Sequence, residues 1–344
     1  MEWDMNDKTH YWIKLEENTA PGGELDRKIE ARDTKAFVVP QEALKRKMVI
    51  GQWLFYLSFL PIVAGLGGCV ELALKGATLW GVLIFILGIV ATIVLSRIFY
   101  YRNQKLVKYS LVREIIRQYF NPDIYLAYKR IPDALIDETD VVDDYQHASV
   151  SDYFSGTWRD VHFQFGDLTI RGGGKAAHNH KLFTGQLFII ETGLALETPV
   201  TIRERKEPIS AELYEGRKNS DRFFKTGNET FDRQFDVQTT CRNQIDSRTE
   251  EVGINQIQEI HDIVDVIAQD IIEADAFAVS QTTMRFVGNR LYLCIENERD
   301  SFELVSGDVN HLEIVKQRVD EEVQGMTVYL DLVMKCLDKI KKRS

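Results

Sequence analysis

Residues 48–70 read MVIGQWLFYLSFLPIVAGLGGCV, and residues 78–96 read TLWGVLIFILGIVATIVLS. Each run approaches or exceeds the roughly 20 apolar residues that carry a helix across a bilayer. Between Leu79 and Leu95, twelve positions are Leu, Ile, Val or Phe. At about 0.3–0.6 kcal/mol each they favour insertion by about 4–7 kcal/mol. No charge lies inside either run; Glu71 and Lys75 sit in the break, where headgroups or water solvate them. The competing interpretation, a helical hairpin buried in a soluble core, requires two unbroken apolar helices of a length that soluble cores seldom use.

The flanking charges set an orientation. Lys45, Arg46 and Lys47 precede the first run, and Arg97, Arg102, Lys105 and Lys108 follow the second, whereas the connection offers Lys75 offset by Glu71. The positive-inside bias therefore places both flanks in the cytoplasm. The expectation is a multi-pass inner (cytoplasmic) membrane protein with both termini cytoplasmic. The opening residues MEWDMNDKTHYWIK lack a basic region followed by an apolar one. No cleavable signal peptide is expected, and the first span serves as its own insertion signal.

The net charge of −10 argues against nucleic acid as a partner. The four cysteines, Cys69, Cys241, Cys294 and Cys336, are far apart with no CxxC pair. That pattern fits free thiols in a reducing compartment and gives neither a disulfide framework nor a zinc finger.

Four regions are expected. Residues 1–44 form a polar cytoplasmic leader, partly disordered or loosely docked, broken at Pro21-Gly22-Gly23, with a short helix from about Glu24 to Lys35 whose Arg27, Lys28 and Arg32 face solvent or anionic lipid. Residues 45–100 form the transmembrane hairpin, with spans at about 48–70 and 78–96. Residues 101–122 form a stalk helix: Leu106, Tyr109, Val112, Ile116 and Tyr119 recur at helical spacing, and Asn121-Pro122 ends it. Residues 123–344 form a cytosolic α+β domain. In it, Val161–Phe165 and Lys181–Ile190 read as antiparallel strands around a glycine loop, Val200–Arg203 as a further strand, and Phe231–Val237 as another. Residues 254–273 read as an amphipathic helix through Ile257, Ile260, Val264, Ile267 and Ile271. Thr282–Val287 and Leu291–Ile295 flank Gly288-Asn289 as a hairpin. Residues from about Val309 to Lys342 read as one or two helices with Gly325 as the weak point. The fold class is α+β: a two-helix transmembrane hairpin, a stalk helix, and a soluble domain with an antiparallel sheet and amphipathic helices.

The segments YFSGTWRDVHFQFGDL (153–168), KLFTGQLFII (181–190), TGNETFDRQFDVQTT (226–240) and MRFVGNRLYLCIEN (284–297), placed after two spans, resemble the bacterial domain-of-unknown-function 3137 family over roughly residues 45–340. The resemblance implies a two-span bacterial membrane protein with a cytosolic α+β domain and an envelope-associated role. It implies no activity, cofactor or catalytic residue.

Several constellations carry candidate chemistry. In AHNHK, His178 and His180 stand two apart, which on a strand puts both imidazoles on one face as possible metal ligands, with Asp160, His162 or Asp167 as further donors; the alternative is two solvated histidines at a loop end. Arg171-Gly-Gly-Gly-Lys175 suggests a phosphate cradle, but Thr169 and Ala176 stand where a P-loop needs Gly and Ser or Thr, so a mobile hairpin loop is expected. Asp137, Glu138, Asp140, Asp143 and Asp144 lack the spacing of a calcium loop and read as a solvated linker. Lys339, Lys341, Lys342 and Arg343 suit either a helix C-terminus or anionic lipid. Ala77, Gly81, Gly88, Thr92 and Ser96 give the second span a small-residue packing face, with Gly65, Gly67 and Gly68 as counterparts and Pro61 as a kink in the first. No GxSxG, HExxH or dinucleotide motif occurs, and neither span carries an ionisable group for an ion path. The expected function is a non-enzymatic interaction or scaffold module without a cofactor, its partners being the bilayer, other membrane or envelope proteins, or a second copy. A membrane-tethered metal-dependent hydrolase and an oligomeric channel component are the alternatives.

Overall fold

The structure, a computed structural model, describes residues 23–129, 133–142, 145–172, 180–210, 225–238, 263–264, 267–272, 281–297, 301–302 and 312–343. It is a mixed helical and antiparallel-sheet molecule with two long apolar helical runs, Gln41–Leu74 and Thr78–Tyr119. The chain divides into two units. One draws on Met1–Glu30, Tyr119–Glu303 and Glu322–Ser344, the other on Ala31–Gln118 and Leu304–Glu321.

The leader helix α1 spans Glu24–Phe37, followed by α2 (Gln41–Leu57), α3 (Leu60–Leu74) and α4 (Thr78–Val107). From Lys108 to Val112 the helix widens into a π-turn before closing again as α5 (Arg113–Tyr119). The first apolar run is thus two helices. The Ser58 hydroxyl donates to the Phe55 carbonyl at 2.6 Å. Pro61 opens α3, where a missing N–H leaves nothing unmade. The stalk periodicity is also interrupted: all five π-turn residues are buried, Lys108 and Ser110 included.

The leader helix is not a loosely docked one at its end. Asp33 is buried and accepts from Lys105 Nζ at 2.6 Å and from the Tyr109 hydroxyl at 3.4 Å. The Phe37 ring stacks on Tyr109 at 6.2 Å. Ser110 Oγ donates to the Phe37 carbonyl and accepts from the Val39 N–H. Arg27, Lys28 and Arg32 lie on the exposed face.

The unit that includes Tyr119–Glu303 is built on one antiparallel sheet of β1 (Ile124–Lys129), β2 (His147–Trp158), β3 (Val161–Arg171), β4 (Lys181–Glu204), β5 (Phe235–Gln238) and β6 (Thr282–Glu296). The order is β1-β2-β3-β4-β5, with β6 paired to β4. Short helices α6 (Asp133–Thr139) and α7 (Glu229–Gln234) and the long α8 (Leu312–Arg343) complete the described elements. One sheet face carries Ile124, Leu126, Val150, Leu168, Ile170, Leu187 and Ile189, against Ile136 of α6. On the other, Phe120, Phe154, Phe163, Phe165 and Phe188 form a chain of ring contacts ending at Tyr329 of α8. Buried Val319, Val323, Met326, Leu330, Val333, Leu337 and Ile340 recur every three or four residues along α8, as a one-sided helix requires.

Several sequence expectations change. Val200–Arg203 is the far end of the 24-residue β4, not a separate strand. Gly288-Asn289 is no hairpin turn: β6 runs through it, antiparallel to β4 on both sides. Gly288 (φ +56°) faces Leu196, near Gly193 (φ +67°), and the register shifts there. The glycines therefore form a bulge, a use that reads like a turn in sequence. Phe231 lies in helix α7, not in a strand. Asn228 caps that helix by accepting the Phe231 N–H at 3.2 Å, and Phe231 stacks on Phe235 at 4.8 Å. The C-terminal helix is single and passes through Gly325 unbroken. Of the acidic run, Asp137 and Glu138 are exposed but lie in helix α6 and not in a linker, Asp140 is buried, and Asp143 and Asp144 lie outside the described residues. Within 254–273, residues 263–264 and 267–272 are helical, with Val264, Ile267 and Ile271 buried; Ile257 and Ile260 lie outside the described residues.

Candidate functional site

The apolar helices α3 and α4 pack along their glycines. A methyl built on Gly88 falls 2.5 Å from the Pro61 carbonyl oxygen, on Gly81 2.8 Å from that of Cys69, and on Gly65 3.1 Å from that of Ile84. At Gly88 and Gly81 only a hydrogen fits without a shift, and Gly65 leaves a methyl tight, so backbone approaches backbone. Lower down, Gly51 of α2 abuts the Asn103 amide in the same antiparallel sense. Thr92 is buried in this seam with no hydrogen-bond partner for its hydroxyl among the described residues, and Ser96 bonds back to the Ile93 carbonyl.

Away from the seam the surface is greasy. Only 11% of the most apolar window of either run is buried. Leu60, Val63, Leu66 and Val70 on α3, and Leu79, Val82, Ile86, Leu87, Val90 and Val94 on α4, project outward. A soluble core helix would bury that face. Exposed Trp80 and Tyr100 bracket α4 about 20 residues apart, or about 30 Å of helix, the hydrocarbon thickness of a bilayer. The seam register brings Trp53 and Tyr56 level with Tyr100 and Tyr101, an aromatic girdle at one end. At the other end Glu71 and Lys75 pair at 2.6 Å.

The sheet unit encloses polar clusters that the sequence did not announce. Asp140, in a left-handed conformation (φ 53°), receives the buried Arg285 guanidinium at 3.2 Å, while Arg203 donates to its carbonyl. Arg285 also donates to Thr201 Oγ1 at 2.5 Å. Elsewhere on β6 the Tyr292 hydroxyl meets Glu138; burial first, then that carboxylate, push the phenol up to about 12. Asp270 is held between Lys335 at 2.6 Å and Lys339 at 2.5 Å. Burial opposes its ionisation, but the two ammonium groups prevail and hold the carboxyl below its ordinary range. Asp232 accepts from the Thr226 N–H and hydroxyl at the head of α7. Two thiols are shut away from solvent: burial drives Cys294 well up and Cys336 up to about 12.

The sequence candidates scatter. His180 is exposed, its carbonyl accepting from Gly172 at the open end of the β3–β4 pair. His162 stands at the other end of β3, about 30 Å away by strand length, with Asp123 at 3.6 Å and Glu191 at 3.4 Å on opposite ring nitrogens. Asp160 forms the β2–β3 turn, and Asp167 is buried, accepting from Ser301 Oγ at 2.8 Å. Among the described residues no three His, Cys, Asp or Glu side chains come together as a metal site. His178, residues 173–175, Asp143, Asp144 and Cys241 lie outside the described residues. Lys339 is taken up by Asp270, while Lys341 and Lys342 are exposed. A signal for Asp270 existed in the i,i+4 pair Lys335 and Lys339 on the polar side of an amphipathic helix; Asp140 and Arg285, 145 residues apart, left none.

No protein-family model matches the chain, and no curated protein matches it. Among solved structures, the crystal structure of the mycobacterial trehalose monomycolate transport factor A, TtfA, aligns with 65% of this chain and 93% of its own at 10% identity, with a TM-score of 0.25. A likeness that slight carries no argument about fold or function.

Proposed function

We propose that this chain is a two-span inner-membrane protein whose hairpin anchors a cytosolic α+β unit acting as an interaction or scaffold module, without catalysis of its own. The observation that carries it is the outward apolar surface of α3 and α4, bracketed by aromatic residues at a bilayer's spacing. The basic flank beside the girdle and the self-compensated Glu71–Lys75 pair at the tip favour a cytoplasmic placement of both termini. The glycines of the seam are occupied within the hairpin, which favours a closed pair over an oligomeric pore. Within the proposal the chain is a divergent relative of the domain-of-unknown-function 3137 family.

Fractionation tests the anchor. The chain is expected in the pellet after an alkaline wash of membranes, released only by detergent; recovery as a freely dissolved species overturns the proposal. In a cysteine-free background, a cysteine at Ala77 is expected to react with an impermeant reagent from outside intact cells, and one near Ser344 is not. Metal content tests the competing hydrolase: stoichiometric metal lost in His178→Ala and His180→Ala would establish it.

A further inference from the structure

We propose that the girdled end of the helical unit is a collar for anionic phospholipid. The collar rests on the two-span proposal and adds a ligand class to it. Lys35, Lys45, Arg46, Lys47, Arg97 and Arg102 are all exposed, and none has an acidic partner among the described residues. The acids nearby do not balance them. Asp33 is buried and already shared between Lys105 and Arg32. Glu42 is the exposed carboxylate on α2. At the opposite end the charges cancel, since Lys75 is closed onto Glu71. One end of the hairpin is thus strongly positive and the other neutral.

Depth matches the charge. The contact of Gly51 with Asn103 sets α2 against α4, so Arg97 and Arg102 bracket the aromatic girdle. Lys45–Lys47 follow about 6–9 Å farther along the helix, within a screening length of about 8–10 Å. The Asp33–Lys105 bond holds the end of α1, with Lys35, at the level of those lysines. A phosphodiester, which zwitterionic and anionic lipids share, fits the tier of Arg97 and Arg102, where guanidinium forks match phosphate oxygens, and the outer tier of Lys35, Lys45, Arg46 and Lys47 selects net negative charge. Its acyl chains continue along the exposed apolar faces above. The charge asymmetry and the continuity of cation, aromatic ring and apolar face favour a lipid over a free anion.

The test uses the full chain in phosphatidylcholine nanodiscs with trace spin-labelled lipids, comparing association of labelled phosphatidylglycerol with labelled phosphatidylcholine. Phosphatidylglycerol is expected to be preferred by about fivefold, the contribution of one well-placed cation. The preference should fall towards unity in K35Q/K45Q/R46Q/K47Q and at about 1 M salt, where screening reaches about 3 Å. Arg97 and Arg102 stay in that variant to hold orientation, checked by labelling at Ala77. K341Q/K342Q should keep the preference. Equal association in the natural sequence, the result if an acidic protein segment fills the collar, overturns the proposal; so does a preference that survives the fourfold variant. Displacement by inorganic phosphate beyond that by sodium chloride of equal ionic strength assigns the site to a free anion and also overturns it. Failure to stay in the bilayer at all is a separate result and refutes the two-span proposal instead.

Discussion

Gly67 of the first apolar run and Gly88 of the second have opposite tolerances. A methyl at Gly88 meets the Pro61 carbonyl, whereas one at Gly67 has nothing within 4 Å. Gly88→Ala is expected to destabilise the helical unit by about 1–3 kcal/mol and Gly67→Ala to leave it unchanged, read as thermal midpoints in detergent. The sequence marked both as small residues; only the seam separates them. The β2–β3 turn was illegible for a different reason. Arg159 (φ 47°) and Asp160 (φ 65°) both take left-handed backbone, where hairpins ordinarily place Asn or Gly. Arg159 is retained by its 3.0 Å bond to Asp331 beside the Trp158 indole. Asp160→Gly is accordingly expected to raise stability by up to about 1 kcal/mol, seen as a higher denaturation midpoint. Asp140→Asn keeps a side chain that tolerates left-handed backbone but removes the charge facing buried Arg285. It is expected to cost about 3–5 kcal/mol, measured by the same unfolding curve.

Periodicity made some elements readable and hid others. The apolar runs and the alternation of β3 are one-signal patterns, and both elements form where that signal lies. β1 escapes because Ile124, Tyr125, Leu126 and Ala127 are all buried, leaving no alternation to read. The Phe231–Phe235 spacing suits a helical turn as well as a strand end, and the Asn228 cap decides it. The C-terminal helix has a pH signature through Asp270. Its carboxyl is lowered in the fold relative to the unfolded chain. The associated stability is therefore present above the ordinary carboxylate value of about 3.9 and lost as pH falls through the lower folded value. The difference in thermal midpoint between the natural sequence and Asp270→Asn is expected to be constant near neutrality and to shrink below about pH 4.

At the scale of the molecule, the sheet unit is gathered from separate stretches of chain, a fact that no local pattern announces. Ile29 packs against the core cluster, and the Glu30 carboxylate accepts the Tyr125 N–H of β1 at 3.2 Å. A fragment beginning at residue 123 therefore lacks part of its own core. Supplying peptide 23–37 in trans is expected to raise its melting temperature by several degrees, since about 1 kcal/mol moves a domain of this size by about 2–4 °C; no rise would mean that α1 adds nothing to the sheet. The central strand has a consequence of its own. β4 needs β6, which begins 78 residues after the Glu204 that closes it, as the Thr282–Glu204 bond measures. Under the two-span proposal, the ribosome delivers both greasy segments to the bilayer long before β6 emerges. The newborn chain thus waits at the membrane with a long unmatched strand flank, a template for wrong pairing. Premature stop codons upstream of Glu296 should yield membrane-bound, protease-sensitive stubs rather than smaller working versions of the protein.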